Sequence, residues 1–64
     1  LFSPLKKLAP LFKLIIKPNS FLILSGLLNV QIPYIINFYN KYGFKEKKIF
    51  CLNGWGSIIM KRNP

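Results

Sequence analysis

Four apolar residues in a row, Phe21-Leu22-Ile23-Leu24, stand between the turn-forming Pro18-Asn19-Ser20 and the pair Ser25-Gly26. So short a run between turn residues reads as a β-strand, and its lack of alternation asks for cover on both faces, as in a parallel sheet. The chain has 64 residues with which to provide that cover. Domains of this size bury a modest share of their surface and usually need a disulfide, a metal or a partner. A single cysteine, Cys51, excludes an internal disulfide. With no His and one acidic residue, Glu46, the chain cannot assemble an ordinary zinc or calcium site. Cysteine usage also gives no sign of an oxidising compartment.

Before the strand, Ser3-Pro4 is a helix start, because Ser accepts from orphan amides and Pro loses nothing in the first turn. Leu5, Leu8, Phe12, Ile15 and Ile16 recur at helical spacing with Lys6, Lys13 and Lys17 opposite, which predicts an amphipathic helix over about residues 4 to 17. Pro10 should kink it by deleting the bond to the Lys6 carbonyl, and Pro18 should close it. After the strand, a second helix begins between Asn29 and Ile32, around the awkwardly placed Pro33. It carries Ile32, Ile35, Ile36 and Tyr39 on one face and ends at Gly43 as a left-handed cap, with Phe44 packing back.

The rest reads as a hairpin: Lys45 to Leu52, an Asn53-Gly54 turn, then Trp55 to Lys61. Lys45, Glu46, Lys47 and Lys48 are the kind of charge that protects a sheet edge, whereas Ser57-Ile58-Ile59-Met60 asks for an interior strand. The last strand therefore belongs inside the sheet, beside Phe21 to Leu24, and the penultimate one at its edge. Helix, strand, helix and an antiparallel strand pair make half of an α/β sheet whose other strands lie upstream. A first residue other than Met fits a fragment or processed product.

Composition narrows the class of partner. Hydrophobic residues make up 52% and the formal net charge is +9, too apolar for an ordinary disordered tail. The cations are spread from Lys6 to Arg62, and only Lys45, Lys47 and Lys48 are tightly grouped. Such charge could favour RNA, acidic lipid or an acidic protein, and a coding bias toward Ile, Lys, Asn, Phe and Tyr accounts for it equally. The longest apolar stretches, Leu8 to Ile16 and Phe21 to Leu28, fall short of the roughly 20 residues that cross a bilayer. The expectation is a cytoplasmic protein with neither a membrane nor a nucleic-acid partner.

An ordered set of residues adds a resemblance. Leu1-Phe2-Ser3-Pro4-Leu5, Leu8-Ala9-Pro10, Lys17-Pro18, Leu24-Ser25-Gly26, Gln31, Tyr39, Gly43-Phe44 and Gly54-Trp55 together resemble the PrmA family, bacterial methyltransferases of ribosomal protein eleven of the large subunit. The likeness covers essentially the whole chain. It departs at Asn19-Ser20, where the family tends to have Gly-Gly, a change Asn tolerates because it visits left-handed conformations readily. Acidic residues common in the family's second helix and hairpin are also missing, with Asn29, Val30 and Asn53 nearby instead.

The resemblance implies that residues 1 to 64 are the C-terminal part of a Rossmann-like class I methyltransferase domain. The parent would move a methyl group from S-adenosylmethionine to amino groups of a ribosomal protein. The cofactor-binding half, with its glycine-rich loop, ribose carboxylate and Asn motif, would lie upstream of Leu1, so the fragment alone should bind no cofactor and transfer nothing. Leu1 and Phe2 would sit at the rim of the cleft. Ser25, Gly26 and Leu27 would share that rim, since ligands of open α/β sheets bind at the carboxyl ends of strands.

No residue present is assigned a catalytic role. Cys51 has no His to activate it and reads as inert strand packing. Glu46 reads as a solvated edge residue. Tyr34, Tyr39, Tyr42 and Trp55 read as packing, although beside so many lysines they also suit base stacking. Two other functions are compatible with parts of the chain: a cationic amphipathic, membrane-active peptide built on the first helix, or a small basic nucleic-acid-binding module. Neither accounts for the ordered elements downstream.

Overall fold

In the computed structural model, which describes residues 2–64, the chain runs α1 (Phe2–Ile15), β1 (Phe21–Leu28), a 3-10 turn (Asn29–Gln31), α2 (Ile32–Asn40), β2 (Phe44–Leu52) and β3 (Trp55–Arg62). The sheet order is β1-β3-β2, with β3 antiparallel to both neighbours. β1 and β2 therefore run parallel to each other with β3 between them. This is the expected α/β order, with the final strand inside and the charged strand outside. Ile59 pairs with Ile23, Ile58 with Leu24 and Met60 with Leu22.

Both helices lie on one face of this sheet. Their shared core is Ala9 from α1, Ile32, Ile35 and Tyr39 from α2, and Leu24, Leu27, Phe44, Ile58 and Met60 from the sheet. Leu5, Phe12 and Ile16 pack at its margin. The stripe of α1 that faces inward thus runs Leu5, Ala9, Phe12, Ile16, a 4-3-4 spacing that is one helix face. The sequence expectation is corrected here. Ala9 is central, while Leu8 and Ile15 lie to the side and are exposed, as are Leu11 and Leu14. The helix also starts two residues early, at Phe2, so Ser3 sits in its first turn rather than capping it. It ends at Ile15, with one further bond from the Ile16 amide to the Phe12 carbonyl (2.9 Å). Pro10 lies inside α1 and does not divide it into two helices.

The turns follow their residues closely. Asn19 takes a φ of 69°, the left-handed conformation that the Asn-Ser turn requires. Gly43 closes α2 at φ 86°, and Phe44 folds back until its ring centroid lies 5.9 Å from that of Tyr39. Pro33 falls in the first turn of α2, where its missing N–H would have no partner anyway. Asn53 and Gly54, at φ 53° and 83°, make the two-residue turn of the hairpin, with φ positive at both positions as its type demands.

Among the described residues, the other face of the sheet carries no layer. Phe21 and Ile23 of β1, Phe50 and Leu52 of β2 and Trp55 of β3 are exposed. The expectation that Phe21 to Leu24 is covered on both faces holds for one face only, and Trp55, read as packed, is half bare. Ile59 is in the interior strand but on this uncovered side, and is partly exposed. Two of the face's lysines rest on its aromatics: Lys61 Nζ lies 5.9 Å from the Phe21 ring and Lys48 Nζ 5.3 Å from the Phe50 ring.

Candidate functional site

Because β1 and β2 are parallel, their carboxyl ends meet at one end of the sheet, the end at which α/β sheets place ligands. The local sequence shapes that end through a bulge. Leu24 pairs with Ile58 and Leu27 with Gly56, so Ser25 and Gly26 together oppose Ser57. Gly26 takes the positive φ, 71°, that lets the strand absorb an extra residue. Ser25-Gly26, expected as a turn ending the strand, is instead a bulge within it. The extra residue keeps Leu27 on the helix-covered face with Leu22 and Leu24, and Leu27 is buried.

Two hollows flank the bulge and share Gly26. One, of about 200 Å³, lies between the first turn of α1 and the carboxyl end of β1 and is lined by Pro4, Leu5, Ser25, Gly26 and Leu27. The other, of about 700 Å³ and widely open, lies at the hairpin end against Phe50, Leu52 and Trp55. Nothing stands within 4 Å of the point where a Cβ on Gly26 would be, so backbone conformation rather than space is what calls for glycine. Ser57 Oγ donates to Ser25 Oγ at 3.1 Å, tying the bulge to the interior strand. The hairpin tip is held there too, since the Asn29 amide donates to the Gly54 carbonyl at 2.9 Å.

Of the rim residues expected from sequence, Ser25, Gly26 and Leu27 are brought together on the bulge. Phe2 goes elsewhere: its ring meets Phe38 edge-on at 6.2 Å, with Lys6 Nζ 5.4 Å from its centroid, so it packs between the helices. Leu1 lies outside the described residues. Pro4 and Leu5 supply the wall that Phe2 was expected to give, and Cys51, Leu52 and Trp55 were not anticipated near the site. Their arrival could have been read from the parallel relation of β1 and β2, which carries the Asn53-Gly54 turn to the same end as Ser25. Cys51 is exposed, not packed as expected.

Chemically this end offers apolar walls, two hydroxyls and backbone groups. The one carboxylate, Glu46, is opposite Met60 toward the other end of the sheet, and its Oε1 is buried without a hydrogen-bond partner. It is not the solvated edge residue expected, because its strand position directs it toward the covered face. Among the described residues there is no group of three or more potential metal ligands, and no helix long and apolar enough to cross a membrane. The buried Tyr39 is structural. Its hydroxyl donates to the Leu5 carbonyl at 2.7 Å, and burial pushes its pKa up to about 12.

Comparison with known proteins assigns the chain to a family. The family model described as ribosomal protein L11 methyltransferase (PrmA) matches residues 1–63. The chain belongs to the PrmA family. A ribosomal protein L11 methyltransferase of Hydrogenovibrio crunogenus is 45% identical over 58 residues, which cover 91% of this chain and 20% of that protein. The chain thus spans about a fifth of the length of the relative it matches. No solved structure matches it.

Proposed function

We propose that this chain is the C-terminal portion of an S-adenosylmethionine-dependent class I methyltransferase that acts on amino groups of a large-subunit ribosomal protein in the cytoplasm. The family match along residues 1–63, combined with a span of only a fifth of a relative, supports this reading. The sheet order, with an interior final strand and a charged outer one, suits the C-terminal half of a Rossmann-like fold.

The residues present do not by themselves fit S-adenosylmethionine. A site for it would need a hold on its ribose hydroxyls, and the one carboxylate of the chain lies at the wrong end of the sheet. The bulge at Ser25, Gly26 and Leu27, with Pro4 and Leu5, can serve only as part of a rim, and Phe2, packed against Phe38, is not in it. Methyl transfer requires an aligned cofactor and a deprotonated amine, and alignment supplies much of the acceleration. The rest of the parent protein must do that work, so the 64-residue chain is inactive alone.

Isothermal calorimetry tests the reading in two arms. The chain alone should show no S-adenosylmethionine binding. The chain fused behind the portion of the Hydrogenovibrio crunogenus protein that precedes its 58 matched residues should bind the cofactor and methylate ribosomal protein. Micromolar affinity in the first arm, about −8 kcal/mol, would contradict the reading.

A further inference from the structure

Along the sequence the cations are scattered, which argues against a nucleic-acid partner, but the sheet gathers three of them. Side chains of β3 alternate: Gly56, Ile58 and Met60 are buried beneath the helices, while Trp55, Ser57, Ile59 and Lys61 turn to the bare face. The register carries this alternation to both neighbours. Lys61 stands between Phe21 and Lys45, and Ile59 between Ile23 and Lys48. Ser57 is opposite Phe50, and Trp55 opposite Leu52. Lys45, Lys48 and Lys61 therefore share the bare face. No carboxylate opposes them there, because Glu46, the one acidic residue of the chain, is opposite Met60 on the covered side.

Three rings stand among these lysines. Phe21, Phe50 and Trp55 are 59%, 48% and 52% exposed. A single exposed apolar residue means little, but large rings grouped on one face beside unopposed charge mark a place of contact. Each phenyl ring has an ammonium group within 6 Å of its centroid. A nucleotide presents the complement of that pair, a flat base joined to a phosphate. At about 3.4 Å per residue, Trp55 and Lys61 lie about 20 Å apart along β3, room for several unstacked nucleotides. Between them Ser57 Oγ donates to Ser25 Oγ, and both hydroxyls are exposed. Groups that donate and accept suit the ribose 2′-hydroxyl, which DNA lacks.

We infer that the bare face of the sheet is a platform for single-stranded RNA, with bases on Phe21, Phe50 and Trp55 and phosphates on Lys45, Lys48 and Lys61. Duplex RNA does not fit, since its bases are stacked on one another and closed to protein rings. An acidic peptide would engage the lysines and leave the ring faces unused, and DNA would leave the hydroxyl pair unused. Stacking on rings reads no sequence, so the platform accepts any unpaired run of bases.

Trp55 is the one tryptophan of the chain and reports directly from this face. Titrating the 64-residue chain with oligouridine of about ten nucleotides at low salt should quench its fluorescence. Affinity should fall with added salt at a log–log slope of about −2, the value for three neutralised phosphates on a single strand. Replacing Lys45, Lys48 and Lys61 together by Gln should weaken binding at least tenfold. Replacing Lys7, Lys13 and Lys17 of the first helix and the turn after it, which removes the same charge, should change it less than threefold. Phe50→Leu, which keeps the surface apolar, should cost about tenfold, with circular dichroism confirming that the variants fold. Equal losses from the two lysine triples would reduce the binding to general attraction by a charge of +9 and overturn the inference. It would be overturned equally by oligodeoxyuridine of the same length binding as tightly, or by polyglutamate displacing the RNA with no dependence on Phe50. A fusion to the preceding portion of the Hydrogenovibrio crunogenus protein that binds S-adenosylmethionine but no longer binds oligouridine would give the face to that portion instead, and the functional reading would survive.

Discussion

Tyr39 is the side chain that holds the two helices together. It is fully buried, touches the Phe44 and Phe12 rings, and donates to the Leu5 carbonyl. Replacing it with Phe keeps the rings packed and deletes one bond, so Tyr39→Phe should lower stability by about 1 kcal/mol in urea unfolding at low salt. The same residue sets an alkaline limit. Its folded pKa of about 12 lies above the ordinary 10.0, so the folded state holds this proton more tightly than the unfolded chain does. That contribution is complete below pH 10 and is lost as pH rises from 10 toward 12. Every other side chain is common to both proteins, so the stability difference between wild type and Tyr39→Phe should shrink across that window. An unchanged difference would show that Tyr39 is not held neutral by the fold. Gly56 is the second critical position. A Cβ there would stand 2.5 Å from Ile32 Cδ1 and 2.9 Å from the Phe50 carbonyl oxygen. Ile32 can rotate away but the backbone oxygen cannot, so Gly56→Ala should cost about 1–3 kcal/mol in the same measurement.

Among the elements, the hairpin is the most self-contained. Asn53 and Gly54 both hold positive φ, which a β-carbon resists. Gly54→Ala should therefore cost about 1–2 kcal/mol, although nothing lies within 4 Å of the added atom. Urea unfolding would check this, and a loss no greater than a few tenths would mean that the turn relaxes freely. The hairpin was legible in the sequence because turn chemistry and strand pattern agree there, and the contrast between Lys45–Lys48 and Ile58–Met60 gave the strand order. Element α1 was legible only in outline. Ser3-Pro4 is a good start signal, but Pro4 fits anywhere in a first turn, so the helix could begin earlier. Ala9 was missed because a small residue carries little hydrophobic signal even at the centre of an interface. Ser25-Gly26 suits a turn and a bulge equally, and only the partner strand decides between them. Phe21, Ile23 and Trp55 were placed in the right strands, but their exposure was missed, because a run without alternation asks for cover on both faces whether or not the described residues supply it.

On the scale of the whole molecule, an apolar face and an uncharged edge belong to a chain of formal net charge +9. Repulsion at +9 keeps copies apart at low ionic strength, and salt shortens its reach from about 30 Å at 0.01 M to about 8 Å at 0.15 M. Light scattering of the 64-residue chain should therefore rise with added sodium chloride, and Ile23→Lys, placing a charge on the bare face of β1, should suppress the rise. A chain that stays monomeric across this range would show the bare face to be harmless. The position of β3 has a consequence in time. β1 and β2 are both made before the strand that lies between them. During synthesis they have no ladder to share until the last of the three emerges, so this part of the sheet closes late and all at once, like a zip with its slider threaded at the end. A stop codon at Trp55 would leave 54 residues, most of the chain, and remove the one strand that joins β1 to β2.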